Sequence, residues 1–231
     1  NISMEEAASI PLVGLTAWQA LVEKAGVRKG HKVFIQAGSG GVGTFAIQLA
    51  KHLGATVATT TSTHNVAFVK DLGADIVIDY KTQAFADVLR DCDVVLNSQD
   101  AQTLKQSVRV LKNGGKLISI SGPPDPAFAQ AMGAPLLVRM VMRLLSLGIR
   151  RMAQRRSIDY SFLFMRPSGS QLREITALFD AGVIRPVVDR IFPFESTNEA
   201  MAYVDAGRSR GKVGMSSTDP PGIGGFIGVT R

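Results

Sequence analysis

QAGSGGVGTFAIQLAKHLGA, residues 36–55, sets five glycines around a helix-like apolar run, and its reading decides the fold. Residues 32–37, just ahead of the loop, have the apolar character of a buried strand, and residues 42–53 behind it carry apolar side chains at helical spacing. Between them Gly38, Ser39, Gly40, Gly41, Val42 and Gly43 satisfy G-x-G-x-x-G. In a strand-to-helix turn of this kind the first glycine tightens the turn and the second lets backbone approach a pyrophosphate. The third lets helix and strand pack closely. The anion then rests on the helix start, where free N–H groups and the helix dipole favour negative charge. Glycines also occur in ordinary turns, so the weight of the motif comes from its place at the head of a series.

That series runs outward from the loop. Strand-like runs at 32–37, 56–61, 75–80, 93–98 and 116–121 alternate with helical segments at 42–53, 65–72, 84–90 and 101–111. Gly54, Gly73, Gly114 and Gly115 stand where helices stop. Parallel neighbours need crossovers, so strict alternation predicts an α/β fold, a doubly wound, mostly parallel sheet with helices on both faces.

Before the series, Ser3 and Glu6 form a capping-box pattern, Pro11 ends or bends the first helix, and a second helix spans 15–25 before Gly26. After Gly122, Pro123, Pro124 and Pro126 mark a loop, followed by a long apolar and basic stretch, 127–149, that reads as one helix. A further strand at 158–164, a helix capped by Ser168 and running to Ala181, an extended run at 185–194 and a last helix near Ser196, Thr197 or Asn198 complete the pattern. Residues 1–213 thus form one dinucleotide-binding domain with a return segment. The glycine- and proline-rich residues 214–231 read as a mobile appendage.

Composition narrows the class. With 231 residues, 45% hydrophobic, the chain has enough apolar side chains for a sizeable core. Lys and Arg outnumber Asp and Glu by 26 to 19, and part of the excess is local, at Arg139, Arg143, Arg150, Arg151, Arg155 and Arg156. An anionic ligand or surface suits that balance, while arginines on a helix also serve as plain solvated charge. No aromatic side chains interleave with them to stack bases, which argues against a nucleic-acid partner. The apolar stretch 127–149 contains Arg139 and Arg143, so a membrane span is not expected. The single cysteine, Cys92, lies in an apolar run and reads as a buried thiol in a reducing compartment. With no basic start followed by an apolar stretch at the beginning of the chain, the expected location is the cytoplasm.

The end of the second strand selects the nucleotide. A site for NAD usually places Asp or Glu about 20 residues beyond the loop, against the ribose hydroxyls. Residues 59–65 here read TTTSTHN, offering hydroxyls, an imidazole and an amide in place of that acid. NADP (NADPH) is therefore favoured over NAD, and an S-adenosylmethionine site, which also wants a carboxylate there, is disfavoured.

With these residues in place the chain resembles the medium-chain dehydrogenase/reductase superfamily, in its zinc-independent NADPH:quinone oxidoreductase-like branch. EEAASIPLVGLTAWQAL, AGSGGVGTFAIQLAKHLGA, LGADIVIDY, GGKLISISG and FDAGVIRPVVDRIFPFESTNEAMAYVDAGRSRGKV carry the resemblance, in the family's order. It implies a Rossmann fold in which Ser39, Gly40, Gly41 and Val42 hold the pyrophosphate. Thr61, Ser62, His64 and Tyr80 would surround the 2′-phosphate, with His64 standing where the family often has Lys. Ser119, Ile120 and Ser121, and Phe162, Leu163 and Phe164, would border the nicotinamide, with Lys212 near the cofactor. The simpler reading stays open for each: Tyr80 packing only, Phe162 and Phe164 in the core, Lys212 solvated.

The resemblance further implies hydride transfer from the nicotinamide to a quinone or conjugated carbonyl as small-molecule substrate. Relatives precede this fold with a GroES-like barrel that lines the substrate cleft; this chain starts at the helix that follows it. The flanking segments of that absent domain would leave apolar surface for self-association, a homo-oligomer among the outcomes. One Cys and three scattered His, His31, His52 and His64, do not make a tetrahedral zinc site, and no catalytic residue is evident from spacing. Two alternatives stand beside the reductase: a non-catalytic NADP-binding module, and a peripheral membrane protein that uses the Arg-rich helix.

Overall fold

The structure, a computed structural model, describes residues 2–207 and 209–216 and the backbone of residues 228–229. At its centre lie six parallel strands, β1 (Lys32–Ile35), β2 (Thr56–Thr61), β3 (Ile76–Asp79), β4 (Cys92–Asn97), β5 (Leu111–Ser119) and β6 (Asp159–Phe162). They are ordered β3-β2-β1-β4-β5-β6, so the chain moves outward in one direction and then in the other from β1. This is the doubly wound α/β sheet expected from the alternation, and its crevice opens where the order reverses, between β1 and β4.

Both faces of the sheet are covered, and its central strands β1 and β4 read as largely apolar runs. Successive β1 side chains point to opposite faces: Val33 and Ile35 join one core with Ile47, Leu49 and Ile175, while Phe34 joins the other with Val95, Leu104 and Ile149. The first face carries α2 (Pro11–Trp18), α3 (Gly41–His52) and α10 (Gly169–Asp180); the second carries α6 (Ala101–Val110) and α9 (Leu147–Gln154). Short helices α4 (Val66–Asp71) and α5 (Phe85–Val88) complete the early crossovers.

At the N-terminus α1 (Met4–Ser9) has the expected capping box: the Glu6 amide donates to Ser3 Oγ, and the Ser3 amide donates to Glu6 Oε2 at 2.8 Å. The following helix begins earlier than the spacing suggests, because Pro11 is its first residue, where a missing N–H costs nothing. It continues as a π-helical turn, Gln19–Lys24, and ends at Gly26, whose φ of +60° suits glycine. Buried Gln19 fastens this helix to the loop after β6, donating to the Arg166 carbonyl at 2.8 Å and accepting from the Arg166 amide.

Two further boundaries differ from expectation. The stretch read as one helix over 127–149 is three: α7 (Pro126–Ala131), α8 (Leu136–Leu145) and α9. Gly133, at φ +64°, and Pro135 break the first junction, and at the second the Ser146 hydroxyl donates back to the Met142 carbonyl at 2.8 Å. The return segment forms its own sheet, with β7 (Val188–Pro193) parallel to β8 (Lys212–Ser216) and β8 antiparallel to β9 (Gly228–Val229), flanked by α11 (Thr197–Asp205). Strand β8 crosses the boundary expected at Val213 and continues to Ser216. For 217–227 and 230–231, the reading as a mobile appendage lies outside the described residues. Among the described residues no helix is long and apolar enough to cross a membrane.

Candidate nucleotide site

The glycine loop is built by contacts that leave no room for side chains. A Cβ on Gly38 would fall 2.2 Å from Thr59 Oγ1, and one on Gly43 would fall 2.3 Å from the Ala37 carbonyl oxygen. The first distance reflects Thr59 donating its hydroxyl to the Ile35 carbonyl at 2.7 Å, so β2 holds the turn from below. The second is the close passage of helix over strand that the third glycine of the motif permits. Gly40 is the N-cap of α3 in an extended conformation and no side chain caps the helix, which leaves first-turn amides open to an anion.

A second element closes on this helix start. The Gly211 amide donates to the Ser39 carbonyl at 2.8 Å, and Gly40 and Gly211 form a parallel bridge. Gly211 has φ +72°, and a Cβ there would strike the Val187 carbonyl at 2.4 Å. Lys212 follows, with its aliphatic stem laid across the first turn of α3; a Cβ on Gly41 would meet its Cδ at 2.9 Å. Only 5% of Lys212 is exposed, and burial pulls its ammonium down to about 8. Among the described residues no carboxylate pairs with it. A buried cation against the positive end of a helix is costly until an anion joins them.

At the end of β2 the Thr61 hydroxyl donates to Ser39 Oγ at 3.2 Å, and the Tyr80 amide donates to the Thr61 carbonyl at 3.1 Å. Ser62 is half-buried, and Tyr80 presents its ring to solvent with 62% exposed. His64 keeps its imidazole exposed and offers its carbonyl inward. Arg210, which sequence reasoning did not single out, donates to that carbonyl at 3.2 Å and to Asn65 Oδ1 at 2.7 Å, while its guanidinium lies over the Phe68 ring. It brings a fixed positive charge to the rim where only hydroxyls, an amide and an imidazole were expected. Its signal was present in RSRGK, one position ahead of the glycine that bridges to the loop. One carboxylate also stands here: Asp79 accepts from the Thr63 hydroxyl at 2.6 Å and from the Lys81 amide at 3.0 Å. The Thr63 hydroxyl holds this carboxyl below its usual range.

The nicotinamide-side residues meet at the paired ends of β5 and β6, where Ser119 is in register with Phe162 and the Leu163 amide donates to the Ser119 carbonyl at 2.9 Å. Ser119 and Leu163 are buried, Ser119 completely. Ile120 and Phe162 are half-buried, and Ser121 and Phe164 are exposed.

The Ser119 side chain joins a buried polar chain. Its hydroxyl donates to Asn97 Oδ1 at 2.6 Å and receives the Gly122 amide at 2.8 Å. Asn97 Nδ2 donates to Gln36 Oε1 at 2.7 Å, and Gln36 Nε2 donates to Ser107 Oγ at 2.9 Å. This chain ties the ends of β1, β4 and β5 together beneath the crevice, and a fully paired network of this kind fixes the geometry above it. Asn97 and Gln36 were also missed; each is the polar residue that ends an apolar strand run.

Residues 72–213 match the family model described as zinc-binding dehydrogenase. The chain is similar to the mitochondrial NAD(P)H oxidoreductase RTN4IP1 of Danio rerio, 38% identical over 226 residues that are 94% of this chain and 58% of that protein. It is similar to the 2-methylene-furan-3-one reductase of Solanum lycopersicum, 33% identical over 92% of this chain and 47% of that one. Among solved structures it is similar to the quinone oxidoreductase from Coxiella burnetii, with TM-score 0.78 and 31% identity over 93% of this chain and 61% of the other. The chain spans about half to three-fifths of the length of these relatives.

The zinc in the family's description finds no ligand set in the described residues. They contain no group of three or more His, Cys, Asp or Glu placed to hold a metal. Cys92 is buried at the start of β4, its thiol pushed up to about 11 by burial, far from the thiolate a zinc ion needs.

Proposed function

This chain belongs to the zinc-binding dehydrogenase family, among the medium-chain dehydrogenase/reductases, and from that premise we propose that it is the dinucleotide-binding part of an NADPH-dependent reductase acting on quinones or conjugated carbonyls. The observation that carries the reading is Lys212, a buried lysine whose stem crosses the uncapped first turn of α3 and which pairs with no carboxylate among the described residues. A pyrophosphate placed there would neutralise both positive ends at once. NADP is favoured over NAD by the Arg210 guanidinium and by Thr61, Ser62 and Tyr80 at the rim, with the Asp79 carboxylate already held by Thr63 and Lys81.

A reduced nicotinamide supplies hydride when bound. The chain's own residues position it. Gly38 and Gly43 let the backbone close on the phosphates, and Ser39, Gly40, Gly41 and Val42 line them. Gln36, Asn97 and Ser119 lock the strand ends on which the nicotinamide would lie, and Ile120 and Phe162 would give it an apolar wall that limits water. The printed names of the relatives, an NAD(P)H oxidoreductase, an enone-type furanone reductase and a quinone oxidoreductase, support the substrate class. A reducing compartment suits the buried thiol of Cys92, in the cytoplasm or, as the Danio relative is named, in mitochondria.

The test is oxidation of NADPH, followed by the loss of the reduced nicotinamide's absorbance, with a small benzoquinone and with an α,β-unsaturated ketone. Turnover with either supports the reductase. The second reading is a nucleotide-binding module without turnover. Tight NADPH binding with no oxidation of either substrate would favour it.

A further inference from the structure

Helix α8 reads LLVRMVMRLL and buries none of its ten residues. Leu136, Leu137, Met140, Val141, Leu144 and Leu145 recur at the spacing of one helical face, and that face points to solvent, with Leu136 82% and Leu137 70% exposed. Met132 at the end of α7 is exposed beside it. Along the sequence from α7 to β6, between Asp125 and Asp159, the charge is all of one sign: residues 126–158 contain six arginines and no Asp or Glu. Arg139, Arg143, Arg150, Arg151 and Arg155 have no carboxylate partner among the described residues. Arg139 is held by its Nε donating to the Ala134 carbonyl at 2.7 Å.

We propose that α8 seats this protein on anionic lipid bilayers, its apolar face at the boundary of headgroups and acyl chains and its arginines, with those of α9, on the lipid phosphates. A strongly amphipathic helix with a basic polar side has the form that lies in the interface plane. At about 1.5 Å per residue α8 is far too short to span a bilayer, so it lies along the surface. A second copy of the chain fits less well. A two-fold contact sets the same patch against itself, which would bring arginine belts of like sign together with no acid between them. Within the chain α8 packs on α7 and α9 at the β6 edge. The inference does not depend on the nucleotide reading.

The experiment is co-sedimentation of the chain with vesicles of pure phosphatidylcholine and vesicles containing phosphatidylglycerol, at low and high salt. Expected is pelleting with the anionic vesicles at low salt, and about tenfold weaker partitioning on neutral vesicles or at high salt. The pair Leu137→Ser and Leu144→Ser should weaken partitioning by about tenfold as well, with an unchanged thermal melt because both side chains are already in water. Arg143→Glu with Arg151→Glu tests the charge belt independently and should do the same. Retention in the supernatant with every vesicle, or pelleting that both variant pairs leave unchanged, would overturn the proposal. So would a dimer in sedimentation velocity that the leucine pair converts to monomer without any lipid binding, since the face would then belong to a second copy.

Discussion

Helices α3 and α8 are both rich in apolar residues, yet eight of the twelve residues of α3 are buried and none of the ten of α8. The difference lies in what each helix is laid against. Gly43 lets α3 lie on the sheet, where Ile47 and Leu49 enter the core on that face. The proline and glycine ahead of α8 turn it off the sheet edge, and α9 takes the packed position against α6 and β6. Apolar composition therefore marks a packed helix behind the glycine loop in one place and an exposed face in the other.

The same substitution in both helices tests that contrast with the largest expected effect. Leu49→Ala in α3 removes a fully buried side chain and should cost about 2–5 kcal/mol, while Leu144→Ala in α8 should stay within about 0.5 kcal/mol, both read by urea unfolding. Equal costs would mean that α8 is packed in solution. Next, Lys212→Met should weaken NADPH binding about tenfold at neutral pH, since charge-assisted contacts to phosphate are lost.

The pH dependence of Lys212 has a definite sign. Its ammonium is held down to about 8 in the fold against 10.5 in an unfolded chain. An anion binds the protonated form, so NADPH affinity should fall as pH rises through about 8, and Lys212→Met should flatten that fall. The free protein should respond oppositely. Between pH 8 and 10.5 the unfolded chain binds the extra proton, so the Lys212 contribution to stability rises with pH across that window. A smaller effect is expected from Arg210→Ala: about fivefold weaker NADPH with NADH unchanged, measured by fluorescence titration. Equal losses for both nucleotides would move Arg210 from the 2′-phosphate rim to the pyrophosphate.

Much of this was legible in the sequence because local signals and packing agree. The G-x-G-x-x-G turn, the strand-helix alternation, Ser168 as a cap and the Ser3–Glu6 capping box each follow from backbone rules that act over a few residues, and each is present. What was not legible depends on contacts between distant segments. Arg210 reaches His64 and Asn65 across 146 and 145 residues, and no spacing rule connects them. Ser119 and Leu163 were placed at the right strand ends, but which way a strand-end side chain turns is set by neighbours such as Asn97, 22 residues from Ser119. The break of 127–149 into three helices was signalled by Gly133 and Pro135, which the apolar run outweighed in the reading.

The central claim is that the glycine loop, α3 and Lys212 form a phosphate site for NADPH. Calorimetric titration of the chain with NADPH and NADH at neutral pH tests it most directly. The account predicts saturable binding of NADPH, tighter than NADH, that weakens above about pH 8. No heat of binding for NADPH at about millimolar concentration, the weak end of specific association, would contradict it.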